Sequence, residues 1–273
     1  MTPADEGAYA ELARKISRGS GLALQAYKDK CIRRRIAVRM RACGVHSYAD
    51  YHALLDRSPG EYERLRDALT INVTRFFRNA ETWSVLRRSL LPTLCAPSRG
   101  ELLAWSAGCS SGEEPYTLAV LIAEFLHSEG RAGELDRVTI DATDVDRACL
   151  ERARAARYSL ESLGEMPGEL RHRYFEPVGL EHRVAGPVRT RVQVRAHDMT
   201  AEPPPRRGYH LILCRNVLIY FDRPMQERLF NAFTDALSPG GFLVLGKVET
   251  LFGAARERLT LLDPRERVYR RPE

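Results

Sequence analysis

The fold is decided by the stretch Leu102-Leu103-Ala104-Trp105-Ser106-Ala107-Gly108-Cys109-Ser110-Ser111-Gly112-Glu113-Glu114-Pro115-Tyr116-Thr117. A short apolar run ends in small residues and two glycines, and an acidic pair, a proline and a helical apolar pattern follow at once. This order predicts a buried strand, a tight turn and the start of a helix. At such a junction in α/β proteins, glycines let a ligand approach the backbone beside the N–H groups of the helix start.

The acidic pair Glu113-Glu114 restricts the ligand that this turn can bind. Carboxylates in a first helical turn are stabilised by the helix dipole, but they would repel a phosphate group. We therefore expect a ligand with a cationic or hydroxyl-rich group rather than a pyrophosphate.

Composition indicates a globular protein of one large domain or two modest ones. The 273 residues are 44% hydrophobic and 29% charged, values that are ordinary for such proteins. Neither an apolar run of about 18 residues nor a leader-like N-terminal segment is present, so we expect neither a transmembrane helix nor a signal peptide. Six cysteines without a C-x-x-C pair are typical of free thiols in a reducing compartment, which predicts a cytoplasmic protein.

Residues 1–84 are predicted to form an all-helical domain, because apolar residues recur there at intervals of three and four. Between Lys28 and Arg41 the sequence holds seven basic residues and a single acid. Ile32, Ile36 and Met40 form an apolar stripe of this helix, and most of the charge lies roughly opposite. The pattern indicates a surface for an acidic partner, either nucleic acid or protein, with a solvated outer face as the alternative.

From about residue 100 the sequence alternates between strand and helix patterns, which predicts a doubly wound, mostly parallel sheet in a domain that extends over residues 85–273. The alternating valines from Val184 to Val194 suggest an antiparallel hairpin, and we expect a small β-subdomain at about 172–196. A last antiparallel hairpin is predicted from Leu259–Leu262 and Val268–Tyr269, on either side of an Asp-Pro turn.

Ligands of such sheets bind at the carboxyl ends of the strands. The residues at those ends are Gly108, Gly112, Asp144, Asp198, Arg215 and Asn216. An acid that ends the second strand, as Asp144 does, is the usual device for binding ribose hydroxyls. Upstream, Asn72, Thr74 and Arg78 could share a face turned to the ligand, although a helix–linker junction with surface arginines would give the same pattern.

Two other interpretations of the glycine turn, a dinucleotide-binding loop and the nucleophile elbow of a hydrolase, are not supported by the sequence. Asp144 follows Gly108 by 36 residues and G-x-G-x-x-G is absent, so a dinucleotide fingerprint is not supported. Gly108-Cys109-Ser110-Ser111-Gly112 fits the nucleophile elbow of α/β-hydrolases, but no histidine follows His210 to complete the triad. The other histidines lack metal-ligand spacing, and we expect no metal.

Four blocks of the chain resemble the CheR family of chemotaxis receptor methyltransferases. They occur in the family's order and spacing, and the likeness extends over nearly the whole chain. The blocks are Ile71-Asn72-Val73-Thr74-Arg75-Phe76-Phe77-Arg78, Trp105 to Tyr116, Ala142-Thr143-Asp144-Val145-Asp146, and Cys214-Arg215-Asn216-Val217-Leu218-Ile219-Tyr220-Phe221-Asp222.

This resemblance implies an all-α N-terminal domain before a Rossmann-like S-adenosylmethionine-dependent methyltransferase domain with a small antiparallel β-subdomain. The family methylates glutamate side chains on the cytoplasmic helices of chemoreceptors and releases S-adenosylhomocysteine. The implied partner is therefore a chemoreceptor cytoplasmic domain; we expect no nucleic acid partner, no membrane insertion and a monomer.

The resemblance also implies residue roles, one position at a time. Asn72, Thr74 and Arg78 would face the methionine end of the cofactor, and Glu114, in the pocket of the Gly108 turn, would oppose its positive charge. Asp144 would hold the ribose hydroxyls, with Asp198 and Met199 near the adenine. Arg215 and Asn216 would line the pocket, and Tyr220 would point at the transferring methyl group. The receptor-docking helix would present Lys30, Arg33, Arg34, Arg35 and Arg39.

Elementary chemistry agrees with this interpretation. A glutamate side chain, with a pKa near 4.3, is already an anionic nucleophile at pH 7, so no general base is required. Alignment of the reacting atoms and exclusion of water should supply most of the acceleration. Arg78 and Tyr220 are the candidates that position the carboxylate.

Two departures from the family pattern matter. The last strand ends in Gly246-Lys247-Val248-Glu249, where relatives commonly have Gly-His-Ser-Glu, so any role of that edge is open. The segment from Glu176 to Pro187 is short for a β-subdomain that grips a receptor's C-terminal peptide, and we predict no high-affinity tether. A methyltransferase for another acceptor, such as RNA, and a cofactor-binding regulator without turnover are the alternatives.

Overall fold

The computed structural model describes residues 3–20, 22–70, 72–98 and 100–273. The chain divides into two compact units, Met1–Ile71 with Tyr220–Gln226 and Asn72–Ile219 with Glu227–Glu273. We call them the helical unit and the sheet unit. The boundary expected at residue 84 lies inside the sheet unit, because Phe76, Phe77 and Trp83 pack into its hydrophobic core. Ile71, the first residue of the quoted motif, lies outside the described residues.

In its described part the helical unit contains the helices α1 (Pro3–Ser20), α2 (Asp29–Ala42), α3 (Tyr48–Arg57) and α4 (Pro59–Leu69). The predicted stripe of α2 is the face that folds inward, since Ile32, Ile36 and Met40 are buried. Residues 220–226 belong to this unit because the Lys28 N–H donates to the Tyr220 carbonyl at 2.8 Å and the Asp222 N–H donates to the Ala26 carbonyl at 3.0 Å.

The sheet unit is built on a seven-stranded sheet in the order β6-β2-β1-β7-β8-β10-β9. The five strands from β6 to β8 run parallel, and β10 and β9 add an antiparallel pair at the end. This confirms the predicted doubly wound sheet and the last hairpin. The strands of this sheet are β1 (Leu102–Ala107), β2 (Val138–Asp144), β6 (Val192–Ala196), β7 (Tyr209–Cys214), β8 (Leu237–Leu245), β9 (Thr260–Asp263) and β10 (Val268–Arg270).

Helices cover the sheet and connect its strands. Helix α7 begins directly after the glycine turn and buries most of its length, as expected for a helix between parallel strands. The helices are α5 (Ala80–Val85), α6 (Leu91–Leu94), α7 (Glu113–Ser128), α8 (Arg147–Ala155), α9 (Gly168–Tyr174), α10 (Gly186–Arg189), α11 (Arg223–Ala236) and α12 (Ala254–Arg258). No helix among the described ranges is both long and apolar enough to cross a membrane.

The predicted hairpin from Val184 to Val194 is wrong. The expected small antiparallel sheet is confirmed, but it consists of β3 (Arg157–Tyr158), β4 (Phe175–Val178) and β5 (Glu181–Val184), in the order β3-β5-β4. Strand β3 lies before the expected range of about 172–196. Pro187, near the start of α10, redirects the chain, and β6 then pairs in parallel with β2. The alternating valines of β6 reflect a half-exposed edge strand, which has the same period of two as a hairpin.

Candidate cofactor site

The glycine turn after β1 requires backbone conformations that favour glycine. Gly108 has a φ of +78° and Gly112 a φ of +97°. A Cβ at Gly108 would lie 2.6 Å from Val217 Cγ2, and one at Gly112 would lie 2.8 Å from the Tyr158 hydroxyl. The turn is fixed to β2 because the Gly108 and Cys109 N–H groups donate to the Thr143 carbonyl at 2.8 and 2.9 Å. The turn therefore lies beside the carboxyl end of β2.

Asp144 ends β2 and faces this turn. One carboxylate oxygen accepts the Ser110 N–H at 2.8 Å, and the other accepts the Asp146 N–H at 2.9 Å. Burial raises the pKa of Asp144, hydrogen bonds from the backbone of Asp146, Ser110 and Val145 oppose that shift, and the neighbouring Asp146 charge adds to it. The carboxylate is thus held in one orientation, and its oxygens keep acceptor capacity for a hydroxyl group.

Ser110 does not have the surroundings of a catalytic nucleophile. It adopts a left-handed conformation with a φ of +50°. Its hydroxyl lies 3.5 Å from Asn72 Oδ1 and 3.9 Å from Cys149 Sγ. Among the described residues no histidine is hydrogen-bonded to it, so the hydrolase alternative lacks its base.

Asn72 lies beside the same turn, and Thr74 is half-buried two residues later. The Asn72 amide nitrogen donates to Asp146 Oδ2 at 2.7 Å. Asp146 is 5% exposed, and its other carboxylate oxygen caps α8 by accepting the Cys149 N–H at 3.1 Å. Asp146 lies in one of the four blocks that resemble the CheR family, but the resemblance implied no role for it.

Glu114, in the first turn of α7, makes an ion pair with Arg215. The Arg215 Nη1 atom lies 3.3 Å from Glu114 Oε2, and the Ser106 hydroxyl donates to Glu114 Oε1 at 2.8 Å. Burial raises the pKa of Glu114, although Arg215 and Ser106 favour the ionised form. A largely buried carboxylate in the first turn of α7, hydrogen-bonded to Ser106 of β1, is suited to a cationic ligand, whose charge would favour the ionised form.

Arg215 connects this carboxylate to the segment that contains Arg78. Its Nη2 atom donates to the Arg78 carbonyl at 2.8 Å and to Asn79 Oδ1 at 3.2 Å. The guanidinium also lies over the Trp83 ring, 5.1 Å from the centroid. The Arg78 side chain turns back on its own segment and donates to the Val73 carbonyl at 2.7 Å.

Asn216 is positioned by Glu249, for which no role was expected from the sequence. Asn216 has a left-handed φ of +61°. Glu249 accepts the N–H groups of Asn216 and Val217, each at 3.0 Å, and that of Gly246 at 2.6 Å. The nearby Lys247, which departs from the family pattern, lies 3.2 Å from Glu81 and 3.1 Å from Glu266 in ion pairs.

Asp198 and Met199 follow β6 in a loop. Asp198 Oδ1 accepts the Thr200 N–H at 2.8 Å and the Thr200 hydroxyl at 2.6 Å, so this carboxylate organises the loop. Met199 lines a cavity of about 350 Å³ together with Pro203, Leu229 and Ala232.

Tyr220 and the basic helix α2 belong to the helical unit. Arg35 lies 5.6 Å from the Tyr220 ring centroid and donates to the Ala68 carbonyl. Arg33 makes ion pairs with Glu6 at 2.6 Å and with Asp29 at 2.5 Å. Arg39 binds the buried Glu61 through two hydrogen bonds, of 2.9 and 2.6 Å.

The outer face of α2 differs from the face that carries Arg33, Arg35 and Arg39, because its charged side chains are exposed to solvent. Lys30, Arg34 and Arg41 are exposed, and Val38 on the same face is 48% exposed. These four residues recur at intervals of three and four, which places them in one row along the helix. We call them the outer stripe.

A doubly wound sheet with a final antiparallel pair, a glycine turn after its first strand and an acid at the end of the second defines a Rossmann-like S-adenosylmethionine-dependent methyltransferase. The chain matches the family model "CheR methyltransferase, SAM binding domain" over residues 72–267 and "CheR methyltransferase, all-alpha domain" over residues 7–70. The protein belongs to the CheR methyltransferase family, which confirms the resemblance, the enzyme class and the cofactor.

Curated relatives support this family assignment, and the similarity covers most of the length of each relative. The chemotaxis protein methyltransferase of Listeria monocytogenes is 32% identical over 263 residues, which cover 96% of this chain and 97% of the relative. That of Klebsiella aerogenes is 33% identical, covering 93% and 87%. Chemotaxis protein methyltransferase 2 of Pseudomonas aeruginosa is 34% identical, covering 90% and 88%.

Proposed function

We propose that this enzyme methylates glutamate side chains on the cytoplasmic helices of a chemoreceptor. The observation that carries the proposal is the match of both family models, so that the helical unit accompanies the methyltransferase unit as in the family. The relatives named chemotaxis protein methyltransferase support the same substrate class.

The residues at the glycine turn fit S-adenosylmethionine chemically. Glu114 offers a buried carboxylate to a cationic group, and Asp144 offers two oriented oxygens to vicinal hydroxyls. When bound, S-adenosylmethionine supplies an electrophilic methyl group on a positively charged sulfur. A phosphate group placed at the start of α7 would be repelled by the Glu114 carboxylate.

The receptor glutamate is ionised at neutral pH and needs no base. In this proposal Arg78 orients that carboxylate by its positive charge, and the Tyr220 hydroxyl donates a hydrogen bond to it. Both groups would align an oxygen for attack without changing their own protonation state. Asn72, Thr74, Asp198, Met199, Arg215 and Asn216 are proposed to bind or frame the cofactor, as the resemblance implies.

We propose the outer stripe of α2 as the main receptor-docking surface. Arg33, Arg35 and Arg39, which the resemblance also implied, have internal partners, whereas Lys30, Arg34 and Arg41 extend from the exposed face. Three cations around an exposed valine suit an acidic helix that presents an apolar residue between its charges.

A high-affinity peptide tether is not part of the proposal. The edge strand β4 has four residues, and Pro177 within it lacks the N–H that an added strand would need. A calorimetric titration showing tight binding of a receptor C-terminal peptide would overturn this.

The direct test incubates labelled S-adenosylmethionine with the enzyme and a chemoreceptor cytoplasmic fragment, with RNA as the control acceptor. We expect base-labile label on receptor glutamates, because carboxyl methyl esters hydrolyse in base. Label found only on RNA, or cofactor binding without transfer to either acceptor, would contradict the proposal.

A further inference from the structure

We propose that Asp146 is a positioning residue of the cofactor site, which joins the Asn72 segment, the glycine turn and Asp144 into one hydrogen-bonded ring. The inference rests on the assignment of this turn to S-adenosylmethionine, and it adds a residue for which the resemblance implied no function.

The ring can be followed atom by atom. Asp146 Oδ2 accepts the Asn72 amide at 2.7 Å, and Asn72 Oδ1 lies 3.5 Å from the Ser110 hydroxyl. The Ser110 N–H donates to Asp144 Oδ2 at 2.8 Å, and the Asp146 N–H returns to Asp144 Oδ1 at 2.9 Å. Four residues from three separate segments therefore fix one another.

The ring explains why this position holds a carboxylate. Asp146 caps α8 with Oδ1 and binds the Asn72 amide with Oδ2, so both of its oxygens accept at the same time. Asparagine has a single acceptor oxygen. At position 146 it could still cap the helix, but its amide nitrogen would then face the Asn72 amide nitrogen, donor against donor.

Helix capping alone is the simpler explanation of Asp146, and it makes a different prediction. Asparagine and aspartate cap helices about equally well, so a residue that only caps would tolerate D146N. A positioning residue would not, because the ring opens at Asn72 while the cap remains.

The experiment measures the affinity for S-adenosylhomocysteine by calorimetry in the full-length protein, for D146N, N72D and the exchanged pair D146N/N72D. We expect about tenfold weaker binding for each single variant, since a hydrogen bond to a charged group is lost. The exchanged pair restores donor and acceptor and keeps an oxygen at the Asn72 Oδ1 position, so its affinity should return to within about threefold of wild type.

A matched control is D263N, because Asp263 also accepts two backbone N–H groups, those of Arg265 and Glu266, in a turn of the C-terminal hairpin. Its affinity should equal that of wild type. The melting temperature of D146N should stay close to that of the control, since the cap is retained. If it falls, the comparison of D146N with the exchanged pair carries the test, because both variants have the same asparagine cap and only the pair should regain affinity.

If D146N binds S-adenosylhomocysteine with the affinity of wild type, Asp146 only caps α8, and the proposal is overturned. Failure of the exchanged pair to recover would do the same, because it would break the link through Asn72. Cofactor binding is measured without any receptor, so an absence of receptor methylation would contradict the proposed substrate and leave this inference standing.

Discussion

The candidate cofactor site of the sheet unit and helix α2 of the helical unit both contain many charged residues, but these charges differ in how far they are buried and paired. At the glycine turn, Glu114, Asp144 and Arg215 are largely removed from water, and each has hydrogen-bonding partners. On α2 the inner arginines have acidic or carbonyl partners, while Lys30 and Arg34 are exposed.

This difference in burial predicts which substitutions will destabilise the protein. A buried charge that loses its partner leaves an unpaid desolvation penalty, whereas an exposed charge is screened by water and salt. Charged residues that look equivalent in the sequence therefore fall into two classes, buried and exposed. Helix α2 contains both classes.

The largest expected effect comes from comparing a paired arginine with an exposed arginine of the same helix, α2. Arg39→Met should destabilise the protein by about 3 kcal/mol, because it leaves the buried Glu61 without its guanidinium. Arg34→Met, the matched control on the outer stripe, should change the free energy of unfolding by less than about 0.5 kcal/mol. Urea unfolding followed by circular dichroism measures both, and equal values for the two variants would erase the distinction.

Asp144→Ala should lower the affinity for S-adenosylhomocysteine about a hundredfold, since two hydroxyl hydrogen bonds to a carboxylate would be lost. Calorimetry measures this effect directly. Asp56→Ala removes an exposed aspartate of α3 and should leave the affinity unchanged. Unchanged affinity in the Asp144 variant would contradict the ribose role.

Tyr220→Phe should reduce methyl transfer to the receptor about tenfold, because the proposed hydrogen bond to the substrate carboxylate would be lost. Cofactor affinity should stay within about twofold, which separates this residue from Asp144. Tyr62→Phe is the control, since its hydroxyl binds carbonyls of α1 at Lys15 and Ile16. Wild-type turnover in the Tyr220 variant would remove its hydroxyl from the mechanism.

The sequence was sufficient for the sheet and for the residues at its carboxyl edge. A strand pattern that ends in Gly108 or Asp144 brings these residues to the same edge, whatever the details of packing. The hairpin prediction failed because alternation has the same period in a hairpin and in an edge strand such as β6.

Partners distant along the chain could not be predicted. Asp146 binds Asn72 across 74 positions, and helical or strand periodicity carries no information about such a pair. Glu249 ends the segment Gly246-Lys247-Val248-Glu249, which departs from the family pattern, but its contact with the Asn216 N–H depends on the left-handed turn at Asn216. Likewise, the spacing of basic residues in the sequence of α2 predicts a basic face. It does not predict that Glu61 of α4 forms an ion pair with Arg39.

Reversal of the outer stripe should have a smaller effect that depends on salt. Lys30→Glu, Arg34→Glu and Arg41→Glu together should raise the KM for the receptor fragment about fivefold at low ionic strength, and less in 0.5 M salt, since exposed charges are screened. Cofactor affinity should not change. Reversal of Arg87 and Arg88, exposed arginines of the sheet unit, is the control, and an equal rise in KM there would indicate nonspecific attraction.

The smallest effect concerns protons at Glu114. Burial raises the pKa of this carboxyl in the free protein, so its neutral form persists at pH values where an ordinary glutamate is ionised. A bound sulfonium or ammonium group would favour the ionised form and lower that pKa, so cofactor binding should release protons and tighten as the pH rises through the interval between the two values. Titrations with S-adenosylmethionine at pH 6 in buffers of different ionisation enthalpy measure the release. Glu114→Gln should abolish the proton release that comes from Glu114. An equal proton release in that variant would show that another group titrates. Asp144 is then the first group to test, because burial also raises its pKa.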